Sequence, residues 1–325
     1  MNKVGIIGAY SQGNFGDDVM AYMFARHCVD LGYGVVVLGL ADPICNGLNC
    51  RFEKRIEVFL EDVDCIIYGG GGLLTMPSNG LVAYQQELIS TYESIIDGVR
   101  SRNVPFAFFS IGGRLEQDYN PVVIEMLQCA DFGHSTVRLL RDQEVLRRHG
   151  IEVAYYPDVV LRIEDYLQLE SPVGDSISCG LNLSERWNQL IDKLVLGRSE
   201  MIYTHKFEKD GRIVNTIEDV QQAILRSKII FTNKLHVGVA SLACGGAAIF
   251  HSKNMKSKAF VEDVFEVGRD AEIFELNIKN ALSGVLSRGR AVARQQELVM
   301  PAKNAAVGHF NMLDSFLRSL GRVKI

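Results

Sequence analysis

Short apolar runs that end in glycine and lead into helical segments recur along this chain, and this pattern constrains the fold more than any other feature. Residues 65–68 form such a run, and four glycines separate it from a helix predicted over residues 81–99. Residues 105–111 are the next predicted strand, again followed by two glycines. Strands that alternate with helices form parallel sheets with right-handed crossovers. The sequence therefore predicts an α/β protein built on parallel sheets.

Length and composition indicate two such domains. The 325 residues exceed what one compact core holds, and 47% hydrophobic with 22% charged residues are globular values. A charged, irregular stretch with a proline and a glycine lies just beyond the middle and is typical of a domain linker. We predict an N-terminal domain over residues 1–165, a linker over 166–176, a second domain over 177–300 and a C-terminal helix over 301–325.

Charge, hydropathy and cysteine usage exclude several classes of protein. A net charge of −5 argues against a general nucleic-acid binder. The chain enters a strand at its third residue, which argues against a signal peptide, and it has no apolar run of membrane-spanning length. The seven cysteines include no C-x-x-C pair, so neither a zinc site nor a disulfide framework is indicated. We expect a soluble cytoplasmic protein without a metal ion.

The stretch from residue 228 to residue 250 contains the strongest candidate site. Residues 229–231 form a predicted strand, and a glycine-terminated helix follows over 235–243, so Lys234 and His236 fall between them. Ligands of parallel α/β sheets bind at the carboxyl ends of strands. A cation and an imidazole at a helix N-terminus suit an anionic ligand. Position alone leaves open the other interpretation, in which His236 caps a turn and Lys234 is solvated.

Further candidates follow other predicted strands. Asn14 and Asp17 come after the first strand, where Asp17 either caps the next helix or faces a ligand. Gly70 and Gly71 follow a buried strand, which indicates that the backbone there lies close to either a ligand or a neighbouring helix. Arg138 begins a helix, where its charge opposes the dipole, so it needs a ligand or a nearby carboxylate.

His205 ends a strand in the second half and is either a site residue or an ordinary loop histidine. The glycines after the first strand do not form G-x-G-x-x-G, and the acidic residue expected after a second strand is missing. Both features argue against a nicotinamide site.

In this order, the motifs resemble those of the polysaccharide pyruvyl transferase family. Any one of them is weak evidence, but their order along most of the chain matches the family. The motifs are Asn14-Phe15-Gly16-Asp17, Gly70-Gly71-Gly72-Leu73-Leu74, Val137-Arg138 before a helix that ends in Gly150, Pro157-Asp158, and Lys234-Leu235-His236, followed by Lys256 or Lys258 near the next helix start.

The resemblance implies a fold and a reaction. The fold would be GT-B-like, with two Rossmann-like domains facing across a cleft and a C-terminal helix that packs back on the first domain. The reaction would move pyruvate from phosphoenolpyruvate onto two hydroxyls of a sugar in a cell-surface glycan or its precursor, giving a cyclic ketal and phosphate without a cofactor. His236 would be the general acid or base, with Asp17 or His205 as its counterpart. Lys234 and Arg138 would hold the anionic donor, and the remaining substrate-binding positions would be Asn14, Gly70, Gly71, Leu235 and Lys258.

Two other functions stay open at this stage. Family members usually carry arginine where Lys234 stands, and lysine lacks the bidentate fork of arginine. This difference favours a sugar-nucleotide-dependent GT-B glycosyltransferase, while a non-catalytic subunit of glycan biosynthesis is a second alternative. A lipid-linked acceptor would place the protein at the inner face of the membrane.

Overall fold

The chain divides into two units. The computed structural model describes residues 2–10, 14–39, 48–74, 76–77, 79–113, 119–167, 178–194, 199–204, 217–251, 255–265, 274–276, 280 and 288–321. Unit 1 comprises Met1–Val159 and Val307–Ile325, and unit 2 comprises Val160–Ala306. Most of the predicted linker, residues 168–176, lies outside the described residues. The return of the chain to unit 1 at its C-terminus confirms the prediction that the last helix packs back on the first domain.

Unit 1 is built on a seven-stranded parallel sheet in the order β3-β2-β1-β4-β5-β6-β7. Its central strands are buried on both faces, so their sequences are nearly continuous apolar runs rather than alternating ones. The strands are β1 Lys3–Ile7, β2 Gly34–Leu38, β3 Arg51–Glu53, β4 Cys65–Leu74, β5 Phe106–Gly113, β6 Thr136–Val137 and β7 Ala154–Tyr155.

Helices cover this sheet and bury its apolar side chains. The core joins the sheet to helices α2, α3 and α4 through fully buried residues such as Phe59, Ile95 and Met126. Val159–Asp165 is a 3₁₀ helix that leads out of unit 1. The α-helices of unit 1 are α1 Phe15–Asp30, α2 Ile56–Asp62, α3 Ala83–Arg102, α4 Pro121–Gln128, α5 Leu140–Arg148 and, at the C-terminus, α11 Gly308–Ser319.

Unit 2 has a smaller parallel sheet in the order β11-β10-β8-β9. Its core contains Cys179, Ile191, Phe231 and Ile249, with Trp187 packed against it. The strands are β8 Ser178–Asn182, β9 Ser199–Met201, β10 Ser227–Thr232 and β11 Ala247–Phe250. The helices are α6 Glu185–Leu194, α7 Ile217–Arg226, α8 Leu235–Ala243, α9 Met255–Val264 and α10 Arg288–Ala305.

Both strand orders reverse direction once, and each reversal creates a position for a ligand. In unit 1 the chain moves from β1 outward to β3 and then returns to place β4 on the other side of β1. In unit 2 it moves from β8 to β9 and returns to place β10 on the other side of β8. Ligands of such sheets bind outside the carboxyl ends of the strands at this switch point. Within the described residues, helices do not reach the length and apolar content needed to cross a membrane.

Candidate functional site

The switch point of unit 1 lies between β1 and β4 and carries Asn14 and Asp17. Asn14 is the N-cap of α1, and its side-chain oxygen accepts a hydrogen bond from the backbone N–H of Gly16 at 3.3 Å. The side-chain amide of Asn14 donates to the Asp17 carboxylate. Asn14 is exposed, while Asp17 is buried with 7% of its surface accessible. The helix therefore begins at Phe15, and Asn14 rather than Asp17 caps it.

Gly70 and Gly71 lie under α1 at the same edge of the sheet. Their φ angles of +82° and +97° are in the left-handed region that favours glycine. A Cβ atom on Gly70 would lie 2.5 Å from the Met20 sulfur, and one on Gly71 would lie 3.0 Å from an Asp17 carboxylate oxygen. Of the two interpretations that the sequence left open, the structure shows close approach of a neighbouring helix.

Arg138 follows β6 and is buried, with 4% of its surface accessible. Its guanidinium Nη1 lies 3.1 Å from a carboxylate oxygen of Asp158, which is also buried. A Cβ atom on Gly112 would lie 2.7 Å from the Arg138 Nε, so the glycine leaves room for this side chain. The charge that opposes the helix dipole is thus balanced by a carboxylate of the same unit, and the Val-Arg and Pro-Asp motifs contact each other.

Asp142, which the sequence analysis did not single out, is a buried carboxyl group with a raised pKa at this edge. It is 1% exposed and accepts hydrogen bonds from the Gly113 backbone N–H at 2.9 Å and the Tyr119 hydroxyl at 3.2 Å. Burial raises the pKa of Asp142 to about 6, although these bonds and the nearby Arg141 charge act in the opposite direction. The sequence feature that could have identified Asp142 is its position in the first turn of a helix that follows a strand.

His309 of α11 connects the C-terminal helix to the same motifs. Its Nε2 donates to the Pro157 carbonyl at 2.9 Å, and its Nδ1 therefore accepts from the Thr136 hydroxyl at 2.7 Å. The same threonine oxygen accepts the Ser110 backbone N–H at 3.1 Å. Burial lowers the pKa of His309 to about 4, so the imidazole is neutral at neutral pH. The amphipathic pattern of this helix does not reveal that His309 is buried or that it bonds to Thr136 and Pro157.

The switch point of unit 2 is organised by Asn182 and Thr232 at the ends of β8 and β10. The Thr232 hydroxyl donates to the Asn182 side-chain oxygen at 3.1 Å and accepts the Lys234 backbone N–H at 2.9 Å. The side-chain amide of Asn182 donates to the Ile202 carbonyl at 2.7 Å. These bonds fix the turn between β10 and α8.

The Lys234-Leu235-His236 motif begins α8 at this edge. Lys234 is the N-cap residue and is exposed, whereas Leu235 and His236 are each 8% exposed. A Cβ atom on Gly238 would lie 2.1 Å from the Phe250 ring, which shows how closely α8 packs on β11. The motif therefore combines an exposed ammonium with a mostly buried imidazole at one helix N-terminus.

The other predicted site residues differ in their surroundings. Lys258 is exposed on α9 and pairs with Glu262 of the same helix at 3.7 Å. His205 lies outside the described residues. Each unit thus brings together its own part of the predicted set: Asn14, Asp17, Gly70 and Gly71 in unit 1, and Lys234, Leu235 and His236 in unit 2. Groups of three or more His, Cys, Asp or Glu side chains arranged to hold a metal ion do not occur among the described residues.

Comparison with known proteins identifies similar sequences and folds. The family model described as polysaccharide pyruvyl transferase matches residues 14–250. A search of the curated proteins finds no match. The solved structure of Anabaena HepE in complex with UDP and glucose is 10% identical, with a TM-score of 0.59 over 98% of this chain and 100% of that chain. An alpha-glucosyltransferase in complex with UDP is 10% identical, with a TM-score of 0.54 over 99% of this chain and 100% of that chain. These likenesses confirm the predicted GT-B-like class of fold.

Proposed function

Because this chain belongs to the polysaccharide pyruvyl transferase family, we propose that it transfers pyruvate from phosphoenolpyruvate to two hydroxyls of one sugar. The product is a cyclic ketal on a cell-surface glycan or its precursor, and phosphate is released. No cofactor takes part in the proposed reaction. The matched region spans the elements that carry Asn14, Asp17, Arg138, Lys234 and His236.

The observation that carries the proposal is the start of α8. An exposed ammonium at Lys234 stands beside the N-terminal N–H groups of a helix at a switch point. Phosphoenolpyruvate carries a carboxylate and a phosphate, and such groups bind at helix N-termini next to cations. Lys234 therefore binds the donor. Lys258, an exposed lysine of the same unit that pairs with Glu262 at 3.7 Å, is a further proposed donor-binding residue.

The chemistry moves two protons from the sugar, one to carbon and one to phosphate. The first hydroxyl loses its proton as its oxygen bonds to C2 of phosphoenolpyruvate, and C3 gains a proton to become the methyl group. The second hydroxyl then loses its proton as its oxygen bonds to C2 and the C2–O bond to phosphate breaks, so phosphate leaves as hydrogen phosphate and the ketal closes. His236 serves as general acid or base, because histidine is the side chain suited to both directions near neutral pH. Asp17 and His205 are the proposed counterparts.

A binding experiment tests the donor. Purified protein is titrated calorimetrically with phosphoenolpyruvate and, in parallel, with UDP and CDP. We expect phosphoenolpyruvate alone to bind, and Lys234→Ala to weaken its binding at least tenfold. Lys193→Ala is the matched control, because it removes an exposed lysine of unit 2 at the end of α6. Wild-type protein that fails to bind phosphoenolpyruvate would contradict the proposal.

A turnover experiment tests the acid–base assignment. Phosphate release from phosphoenolpyruvate is followed with a panel of p-nitrophenyl hexopyranosides as acceptors. We expect His236→Ala to lower kcat by about 100-fold or more, as for loss of a general acid or base. His149→Ala replaces an exposed histidine that caps the far end of α5 and should leave kcat unchanged. Equal turnover by the His236 variant and the wild type would remove His236 from the mechanism.

The alternative donor is a nucleotide sugar. Lys234 in place of the family's usual arginine favours it, since lysine does not grip a carboxylate bidentately. Binding of UDP or CDP instead of phosphoenolpyruvate would change the reaction to glycosyl transfer, and binding of none of the three would favour a non-catalytic subunit. Phosphoenolpyruvate is made in the cytoplasm, so the proposed reaction takes place there. A lipid-linked acceptor would place it at the inner face of the membrane.

A further inference from the structure

Unit 1 contains a cavity at the edge of its sheet that lies opposite the candidate site. The cavity has a volume of about 340 Å³, and its lining includes Phe132, Gly133, Gln143, Arg147 and Glu152. These residues belong to the loop before β6, to one face of α5 and to the segment before β7. Because β6 and β7 are parallel, both loops lie at the amino ends of the strands. The cavity is therefore separate from the switch point, which lies at the carboxyl ends.

Hydrogen bonds hold the walls of this cavity in place. Gln143 of α5 donates from its Nε2 to the Val153 carbonyl at 2.7 Å, which joins the helix to the segment before β7. In the loop before β6, the His134 Nδ1 donates to the Asp131 carboxylate at 2.8 Å. The two strands that follow these segments pair directly with each other. The cavity is thus formed by the fold itself, as most small-molecule sites are.

Two opposite charges line the cavity without pairing with each other. The Arg147 guanidinium and the Glu152 carboxylate are both exposed, and neither side chain has a hydrogen-bond or ion-pair partner in the part of the chain that the structure describes. By contrast, Arg148 of the same helix pairs with Glu144 at 2.6 Å. The cavity therefore offers a cation and an anion that one ligand can bind at the same time.

Phe132 supplies an apolar surface beside these charges. Its side chain is half-buried and packs against the hydrophobic core of unit 1, which fixes the position of the ring. A guanidinium binds a carboxylate through two parallel hydrogen bonds, a carboxylate binds an ammonium, and an aromatic ring packs against apolar groups. The volume lies at the small end of the range of roughly 300–1,000 Å³ for ligand sites. An α-amino acid with an apolar side chain has these three groups and this size.

We propose that this cavity is a binding site for a free α-amino acid with an apolar side chain. Arg147 binds the carboxylate of the amino acid, Glu152 binds its ammonium group, and Phe132 contacts its side chain. The inference goes beyond the proposed function and does not depend on it, because the cavity lies at the opposite edge of the sheet and the binding involves no pyruvate transfer.

The first test uses the wild-type full chain and three related compounds. Calorimetric titration with L-phenylalanine should give a Kd of about 1 mM or lower. Phenethylamine lacks the carboxylate and 3-phenylpropionate lacks the ammonium group. Each should bind at least about tenfold more weakly than L-phenylalanine, because one charged hydrogen-bonding group is lost. This comparison does not depend on the folding of any variant.

The second test compares variants of the two charged residues with matched controls. Arg147→Gln and Glu152→Gln should each raise the Kd of L-phenylalanine about 10- to 100-fold, the range for hydrogen bonds to charged groups. Arg148→Gln and Glu144→Gln make the same changes in net charge at exposed positions of α5 outside the cavity. Arg148 also lies in the last turn of α5, so its replacement removes a cation from the same helix end. Both controls should bind as the wild type does.

Hydrogen-exchange mass spectrometry locates the bound amino acid. L-Phenylalanine should protect peptides that cover residues 131–135 and 143–155. Failure of the wild type to bind L-phenylalanine, or an equal Kd in the wild type and both cavity variants, would overturn the inference. Phenethylamine binding as tight as that of L-phenylalanine would show that no carboxylate is held and would also overturn it. These outcomes leave the proposed function to its own experiments, since phosphoenolpyruvate is absent from these samples.

Discussion

The buried His309 gives a prediction whose magnitude can be worked from the structure. Burial lowers the pKa of this imidazole to about 4, against an ordinary value of 6.5. The difference of about 2.5, at 1.36 kcal/mol for each pH unit, corresponds to about 3 kcal/mol of unfolding free energy. His309→Gln removes the titrating group and keeps an amide that can replace one donor and one acceptor.

The direction follows from proton binding. Between pH 6.5 and about 4 the histidine takes up a proton in the unfolded chain but stays neutral in the folded one. The contribution of His309 is therefore complete above pH 6.5 and is lost as the pH falls towards 4. The wild-type advantage over His309→Gln should shrink by about 3 kcal/mol between pH 7 and pH 4.

Asp142 should behave in the opposite way. Its folded pKa is about 6 against an ordinary 3.8, so near neutral pH the folded state carries the cost of a buried charge. That cost disappears as the pH falls from 6 to 3.8, which stabilises the folded wild type by about 3 kcal/mol. As the pH falls from 6 to about 4, Asp142→Asn should therefore lose the stability advantage that it has over the wild type at neutral pH. Over the same range, His309→Gln should gain stability relative to the wild type. The two effects offset each other in the wild type.

The assay must report unit 1 separately, because a protein of two units need not unfold in one transition. Urea unfolding is followed by hydrogen-exchange mass spectrometry of peptides that cover residues 136–158 and 307–321, at pH 7, 6, 5 and 4. The single tryptophan, Trp187, belongs to unit 2, and its fluorescence monitors that unit in the same samples.

Two results would refute the reasoning. A constant free-energy difference between the wild type and His309→Gln across this pH range would show that His309 titrates normally in the folded state. A difference that grows as the pH falls would show that its protonated form is favoured by the fold. A matching change in the Trp187 signal would indicate that the perturbation is not confined to unit 1.

Two further substitutions test the geometry of each edge. Gly70→Ala should lower the Tm more than Gly32→Ala, because both glycines have positive φ but only the Cβ at position 70 would meet the Met20 sulfur, at 2.5 Å. An equal loss of Tm in the two variants, measured by thermal scans, would contradict the close contact between position 70 and Met20. Thr232→Val should destabilise unit 2 by about 1–3 kcal/mol, since buried Thr232 loses its part-buried hydrogen bond to Asn182, and it should weaken phosphoenolpyruvate binding. Urea unfolding and calorimetry measure both effects.

The elements of the fold could be predicted because apolar runs and glycines mark them directly. The runs that became β4, β5 and β10 are buried on both faces, so their composition alone identifies strands of a parallel sheet. The position of Lys234 and His236 followed from the same pattern, since a strand end and a helix start bracket them.

The partners of the charged residues could not be predicted. Arg138 and Asp158 are twenty positions apart, and only the three-dimensional structure shows that they pair at 3.1 Å. Arg141 and Asp142 lie within an ordinary surface-like helix sequence, where spacing does not reveal which nitrogen or oxygen is enclosed. His309 bonds across 173 residues to Thr136, a separation that local periodicity does not address.

These contacts divide the family motifs into two physical classes, and the division bears on whether the chain is an enzyme. Gly70, Arg138 and Asp158 are buried or enclosed by neighbours, so a non-catalytic subunit with this fold would need them as much as an enzyme. Exposed Lys234 serves no such packing need. The second class therefore favours a chain that binds an anionic substrate.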